Sequence, residues 1–299
     1  MSVLVVGSTA LDSIRTPRRV CPKLLGGSAS HAAVAASFFA PVKMVGVVGS
    51  DFPARYIALY RRHGIDLAGL QRAEGQTFHW SGEYEVNMNN RRTLTTELGV
   101  FEHFRPVLPP AHQTTPYVLL ANIAPALQHH VLDQMQRRKF VAADTMDLWL
   151  KVARGDLMRL LRRVDALVLN DSEARDLAGM DNLFTAAARI RRMGPRCVII
   201  KKGEHGAVLS SPEGLFVCPA YPLARVADPT GAGDSFAGGL VGYLASVKGP
   251  VEGHLRRAMV YGSAVASFCC EGFGLSRTDR ITRADIDARV GEIERLARF

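Results

Sequence analysis

The stretch "DPTGAGDSFAGGL", Asp228 to Leu240, crowds glycines and two acids against the start of an apolar run. A helix beginning here leaves its first backbone N–H groups without intrahelical partners, and its macrodipole puts positive charge at the same end. Gly231, Ala232 and Gly233 carry nothing larger than a methyl, so an anion can approach those N–H groups closely. Thr230 offers the hydroxyl expected of an N-cap. Asp234 falls in the first turn. Two readings fit it. It either complements the dipole of a capped helix, or it stands beside a bound phosphoryl group and takes the proton of an attacking hydroxyl. No G-x4-G-K-[ST] loop occurs in the chain, and no G-x-G-x-x-G follows the first apolar run. Neither a Walker A site nor a classical dinucleotide site is supported.

The surrounding chain alternates short apolar runs with helical patterns. Candidate strands are Val3–Val6, Val42–Val47, Tyr117–Ala121, Phe140–Ala143, Ala166–Leu169 and Cys197–Lys201. Between them lie candidate helices at Ser30–Phe39, Pro53–Arg62, Pro125–Arg137, Val152–Arg163 and Leu183–Met193. This alternation predicts an α/β fold, a doubly wound and mainly parallel sheet flanked by helices. "GEHGAVLSSPEGLFVCPA" adds two antiparallel strands at one edge, and helices follow at Gly231–Leu244, Val251–Phe268 and about Arg283–Leu296. One segment, Thr77–Phe101, breaks the rhythm. Its Phe78, Trp80, Gly82, Tyr84 and Val86 share one side of a period-2 pattern, and Asn89-Asn90 supplies a turn. With Ser13–Leu25 it predicts a small β lid, segments about 13–25 and 77–101, on a single domain spanning 1–299. A plain surface hairpin is the alternative.

Composition narrows the function. Of 299 residues, 47 % are hydrophobic, enough for a large core. No apolar run is long enough for a membrane span and the N-terminus lacks a basic leader, so a cytoplasmic protein without a membrane partner is expected. Five cysteines without C-x-x-C spacing argue against a disulfide framework or zinc. The adjacent His129 and His130 point apart on a helix and make a poor metal pair. The formal charge of +9 comes from basic residues scattered through helices, without the aromatic interleaving of a nucleic-acid surface. Attraction of anionic small molecules accounts for it.

Three further pieces sit where open parallel sheets place ligands, at strand-to-helix junctions. "VLNDSEARDL" sets Asn170 and Glu173 three apart. They suit either the hydrated shell of Mg²⁺ or a capping box. "VIIKKGEHGAVL" ends a strand at Lys201-Lys202, with Gly203 and Gly206 in a turn that either passes under a nucleotide or is a tight β-turn. Near the N-terminus Asp12 follows strand one, and Gly26-Gly27 precedes an Ala-rich helix. Asp12 could grip two vicinal hydroxyls, and a turn before a helix is the alternative for the glycines.

Along the chain the pieces run G-x4-D, then GG before an Ala-rich helix, then N-x-x-E, then D-x-T-G-A-G-D, and in that order they resemble the ribokinase-like PfkB family of carbohydrate and nucleoside kinases, over nearly the whole chain. "VGVVGSDFPARYIALYRRHGID" resembles the family's G-x-D-x-x-G segment, without its last glycine. The resemblance implies a ribokinase-like fold and an ATP-dependent kinase acting on a sugar or polyol hydroxyl, with a nucleoside as the alternative acceptor. It implies Asp234 as general base, Gly231, Ala232 and Gly233 as anion hole, and Asn170 and Glu173 as organisers of Mg²⁺, through water, and of phosphate. Asp12, Gly26, Gly27 and His31 fall at substrate positions. Lys202, Gly203, Gly206, Tyr261 and Gly272 fall on the nucleotide side. Asp228 and the loop after Gly272 resemble a monovalent-cation (K⁺) loop. Lids in this family often pair, so a homodimer through the lid is expected. Two departures bear on the acceptor. His31 in "GGSASH" stands where sugar kinases often carry Asn. The D-P-N-x-R segment of some acidic-sugar kinases appears only as "ADTMDLW", without its Arg. A non-catalytic nucleotide or sugar binder is the competing class, and the intact Asp234, Asn170 and Glu173 argue against it. An NAD-dependent oxidoreductase lacks its glycine fingerprint.

Overall fold

The computed structural model describes residues 1–298. Its centre is a nine-stranded sheet. The strands that build it are β1 (Val3–Val6), β4 (Val42–Val48), β5 (Asp66–Arg72), β8 (Tyr117–Leu120), β9 (Phe140–Asp144), β10 (Ala166–Asn170), β11 (Cys197–Lys201), β12 (Ala207–Ser211) and β13 (Gly214–Cys218). Their spatial order is β13-β12-β11-β10-β9-β8-β1-β4-β5. Neighbours from β5 to β11 pair in parallel, and β12 and β13 add an antiparallel edge. Apolar residues run without polar alternation because both faces are covered. In β1, Val3 and Val5 enter the core on one face, and Leu4 and Val6 enter the other. Strand β5, "DLAGLQR", is too polar to stand out in the sequence. It sits at an edge, and its buried residue is Gly69.

One face is packed by α1 (Ser28–Ser37), α2 (Ala54–Arg62), α8 (Ala232–Ser246), α9 (Leu255–Cys270) and α10 (Arg283–Leu296). The other carries α3 (Pro125–Gln134), α5 (Arg154–Leu161), α6 (Asp171–Ala178) and α7 (Leu183–Arg191). The expected helix Val152–Arg163 is α5, and a short helix that was not expected precedes it. Helix α4 (Asp147–Val152) stops at Ala153, whose φ of −138° leaves helical geometry before α5 begins. Helices α1 and α8 approach closely because both are lined with small residues. A Cβ on Gly238 would lie 2.2 Å from the Ala32 carbonyl oxygen, and one on Gly242 would lie 2.8 Å from Ala36 Cα.

A second, four-stranded sheet, ordered β3-β2-β6-β7, stands off the first. It comprises β2 (Ala10–Thr16), β3 (Arg19–Gly26), β6 (His79–Tyr84) and β7 (Arg91–Glu97). This is the expected lid, with β2 and β6 paired in parallel. Its face is narrower than the period-2 pattern suggested. Tyr84 is buried and Trp80 half-buried, but Val86 lies beyond the strand at the hairpin tip, 87 % exposed. The left-handed turn residue is Met88 (φ 58°), not Asn89 or Asn90, because Asn87 bonds both of their N–H groups through its side chain. Asp51, from the G-x-D segment, accepts the Thr77 N–H and hydroxyl and fixes where the second lid segment leaves the body.

Candidate active site

Gly231 is the N-cap of α8, with φ 77°, a conformation that glycine adopts without strain. It also fits because His31 packs against it: a Cβ there would lie 2.3 Å from the imidazole. Thr230 does not cap the helix. Its hydroxyl is 3.0 Å from the Tyr84 hydroxyl of the lid, and its N–H donates to Asp228 Oδ1 at 2.9 Å. The Asp228 carboxylate therefore shapes the loop that presents the helix end. Its other oxygen accepts the Gly274 N–H at 3.2 Å, which joins Asp228 to the segment after Gly272.

Asp234 lies half-buried in the first turn of α8. Its carboxyl is pushed up to about 7, first by burial and then by the charge of Asp144, against the pull of Lys201 and Arg91. Lys201 is the residue that the sequence motifs do not mark. It ends β11, and neighbouring strand residues point to opposite sides. Its ammonium lies 3.1 Å from Asp144 Oδ2 and 2.9 Å from where a Cβ on Gly233 would stand. Burial works against its charge, but Asp144, Glu173 and Asp234 together hold it above its ordinary value. Lys202, the expected contact, instead starts the turn: its N–H donates to the Gly206 carbonyl. Gly203 and Gly206 take the turn with φ of 56° and 78°.

Asn170 and Glu173 form a full capping box on α6. Asn170 Oδ1 accepts the Glu173 N–H at 2.8 Å, and Glu173 Oε2 accepts the Asn170 N–H at 2.8 Å. The structural alternative is thus realised, and it leaves Glu173 Oε1 without a hydrogen bond among the described residues. Burial raises the Glu173 carboxyl to about 7, with the Lys201 charge working the other way and Asp144 adding to the rise. No group of three or more acidic, His or Cys side chains suited to a metal occurs among the described residues.

On the lid side Asp12 is buried on β2, directly over Gly26, where a Cβ would lie 1.9 Å from its Oδ2. Its carboxyl is also raised to about 7 by burial, with the Gly27 backbone hydrogen bond working the other way and Asp228 and Asp234 adding to the rise. Asp12 and Asp234 therefore share one electrostatic environment. Arg91, another residue outside the motifs, acts on both. It lies opposite Tyr84 in the lid register, with its guanidinium 5.3 Å from the Trp80 ring centre.

Two expected positions fall elsewhere. His31 is 1 % exposed beneath Gly231, in the floor rather than on an open wall, and its Nε2 has no partner among the described residues. Burial lowers its pKa to about 4, so the ring is neutral. It cannot stack on a ligand without leaving that floor. Tyr261 is engaged within the helical layer. Its hydroxyl donates to Asp287 at 2.8 Å and its ring stacks on Tyr243 at 4.3 Å, because this face of α9 packs against α8 and α10. Gly272 stays in the loop, where a Cβ would crowd Arg277 and Ser276. No helix among the described residues is long and apolar enough to cross a membrane.

Known proteins match this arrangement along nearly the whole chain. A cytidine kinase of Thermococcus kodakarensis is 28 % identical over 254 residues, covering 81 % of this chain and 88 % of that protein. A nucleoside kinase of Methanocaldococcus jannaschii is 25 % identical over 293 residues, 91 % of each. The structure of a Burkholderia thailandensis nucleoside kinase in complex with inosine superimposes with a TM-score of 0.79 at 22 % identity, covering 97 % of each chain. The family model described as "pfkB family carbohydrate kinase" matches residues 2–281. The chain therefore belongs to the pfkB family of carbohydrate kinases, with the ribokinase fold, and is a phosphotransferase with a hydroxyl acceptor.

Proposed function

We propose that the chain transfers the γ-phosphoryl group of ATP to a hydroxymethyl group of a nucleoside, with Asp234 as general base and the N–H groups of Gly231, Ala232 and Gly233 as anion hole. The observation that carries this is Asp234 itself, a carboxyl at the positive end of α8 with its pKa raised to about 7. A base poised near the working pH combines ionisation with useful proton affinity. Asp234 takes the hydroxyl proton as the oxygen attacks the γ-phosphorus. The Lys201 ammonium, beside Gly233, meets charge on the transferring group. Asp12 accepts hydrogen bonds from two vicinal hydroxyls, as a ribose presents them, and Gly26 and Gly27 let the sugar approach.

The lid supports a nucleoside over a free sugar or polyol: the Trp80 ring packs against Gly82, and Tyr84, two residues on along the same strand, meets Thr230, so an aromatic side chain on this strand would be available to a base. The curated relatives named as cytidine and nucleoside kinases support the same choice. Mg²⁺ fits the residues present: Glu173 keeps Oε1 free of the capping box, and a hydrated ion needs few direct protein ligands. Asn170 and Glu173 would hold it through water, and it would neutralise phosphate charge. A monovalent cation at Asp228 and the loop after Gly272 is a separate expectation, as are pairing through the lid and a cytoplasmic location.

Incubation with MgATP and a panel of cytidine, inosine, adenosine, ribose, fructose and inositol, read by phosphorus NMR of the product, tests the acceptor. A phosphomonoester on the nucleoside hydroxymethyl, at a kcat/KM well above that for free ribose, is expected. Preferential phosphorylation of a free sugar or polyol would overturn the nucleoside assignment and leave the kinase chemistry standing.

A further inference from the structure

A cavity of about 430 Å³ lies along the seam between the lid and the body. One wall is the turn 16–19 joining β2 to β3, together with the hairpin tip 86–88. The other is segment 223–227, which leads into Asp228, together with Phe273 from the loop bonded to Asp228. Neither Asp12, Asp234, Asn170 nor Glu173 lines it. Three of its lining residues are Arg18, Arg19 and Arg225, and none is acidic. Other arginines nearby have acidic partners: Arg15 and Arg92 share Glu83, and Arg277 pairs with Glu271. Arg18, Arg19 and Arg225 enter no ion pair among the described residues, and Arg19 lies with its guanidinium 5.7 Å from the Phe273 ring centre. The rest of the wall is largely apolar, with Val86 and Met88 exposed or half-exposed at the tip.

Arg18, Arg19 and Arg225 are exposed, so solvent screens their mutual repulsion, but together they make one concave space attractive to an anion. Arginine clusters suit phosphate in particular, because the planar fork bonds two oxygens at once. Apolar walls and an aromatic ring add room for an organic body, and the volume suits a small ligand. We propose that this seam is a second ligand site, separate from the phosphoryl-transfer cleft, for a small molecule carrying a phosphate group. The occupant touches the lid on one side and the loop presenting α8 on the other, so it holds the lid down on the body. Free phosphate and a nucleoside monophosphate share the anionic chemistry. Only the second uses the apolar wall.

Hydrogen–deuterium exchange of the full chain, with AMP and separately with inorganic phosphate, tests this. AMP is expected to slow exchange over 16–19, 86–88 and 223–227. The double variant Arg18→Ala/Arg225→Ala should lose that protection, with affinity for AMP at the seam falling at least about tenfold, while MgADP binding is retained. If phosphate reproduces the protection, the anion alone is the ligand. If it does not, the organic body is required. Protection by AMP confined to 228–235, or identical in the double variant, would overturn the proposal.

Discussion

Asp234 is the residue on which the chemistry turns, and its environment makes opposite demands on activity and stability. Asp234→Asn keeps the shape and removes the base, so kcat is expected to fall roughly 10²–10⁴-fold. In the parent, kcat/KM should decline with falling pH once Asp234 protonates, near its value of about 7. A profile that stays flat down to about pH 5 would remove Asp234 from the role. Stability runs the other way. A carboxyl whose folded pKa is raised favours the protonated fold. That contribution is full below the unfolded value of about 3.9 and is lost as pH rises through about 7. Asp234→Asn should therefore melt at a higher temperature than the parent at pH 8, with the gap closing towards pH 4. Thermal melts at the two pH values check it, and an unchanged gap would mean that the carboxylate is not strained by burial. Gly231→Ala carries a different cost. The left-handed φ and the His31 ring both oppose a methyl, so a loss of about 1–3 kcal/mol is expected in denaturant unfolding.

At the scale of elements, the lid and the α1–α8 pair carry the site. The Tyr84 hydroxyl meets Thr230 one residue before the anion hole, and Arg91 sits opposite Tyr84 with no ion pair among the described residues. Arg91→Ala should lower kcat more than it raises the KM for ATP. Steady-state kinetics would show this, and a variant affected only in KM would place Arg91 in ground-state binding. Gly238→Leu would drive a side chain into the Ala32 backbone, and the loss of soluble folded protein on expression is its expected outcome. Periodicity made these elements legible unevenly. Strands β1 and β11 carry the predicted bounds because their apolar runs end at polar or turn residues. The break at Ala153 was not legible because Ala is a good helix former and the Gly155 beyond it falls inside α5. Lys201 and Arg91 were missed for a different reason. They join the site through the sheet register and the lid, from far along the chain, and no local spacing announces them. The one available signal for Lys201 was its place at the carboxyl end of a parallel strand.

At the scale of the molecule, the order of motifs along the chain was enough to anticipate the fold, because a doubly wound sheet brings every strand-to-helix junction to one edge. The acceptor was not legible in the same way. His31 breaks the family pattern but lies in the floor, and the features offered for a nucleoside, Trp80 packed on Gly82 and Tyr84 meeting Thr230, depend on how two distant lid segments pair. The measurement that bears most directly on the whole account is single-turnover phosphoryl transfer from MgATP to the preferred nucleoside, comparing the parent with Asp234→Asn at matched substrate saturation. A nucleoside phosphate formed by the parent and slowed by orders of magnitude in the variant, with both substrates still binding, is the result the account predicts. Transfer at comparable rates in the two proteins would contradict it.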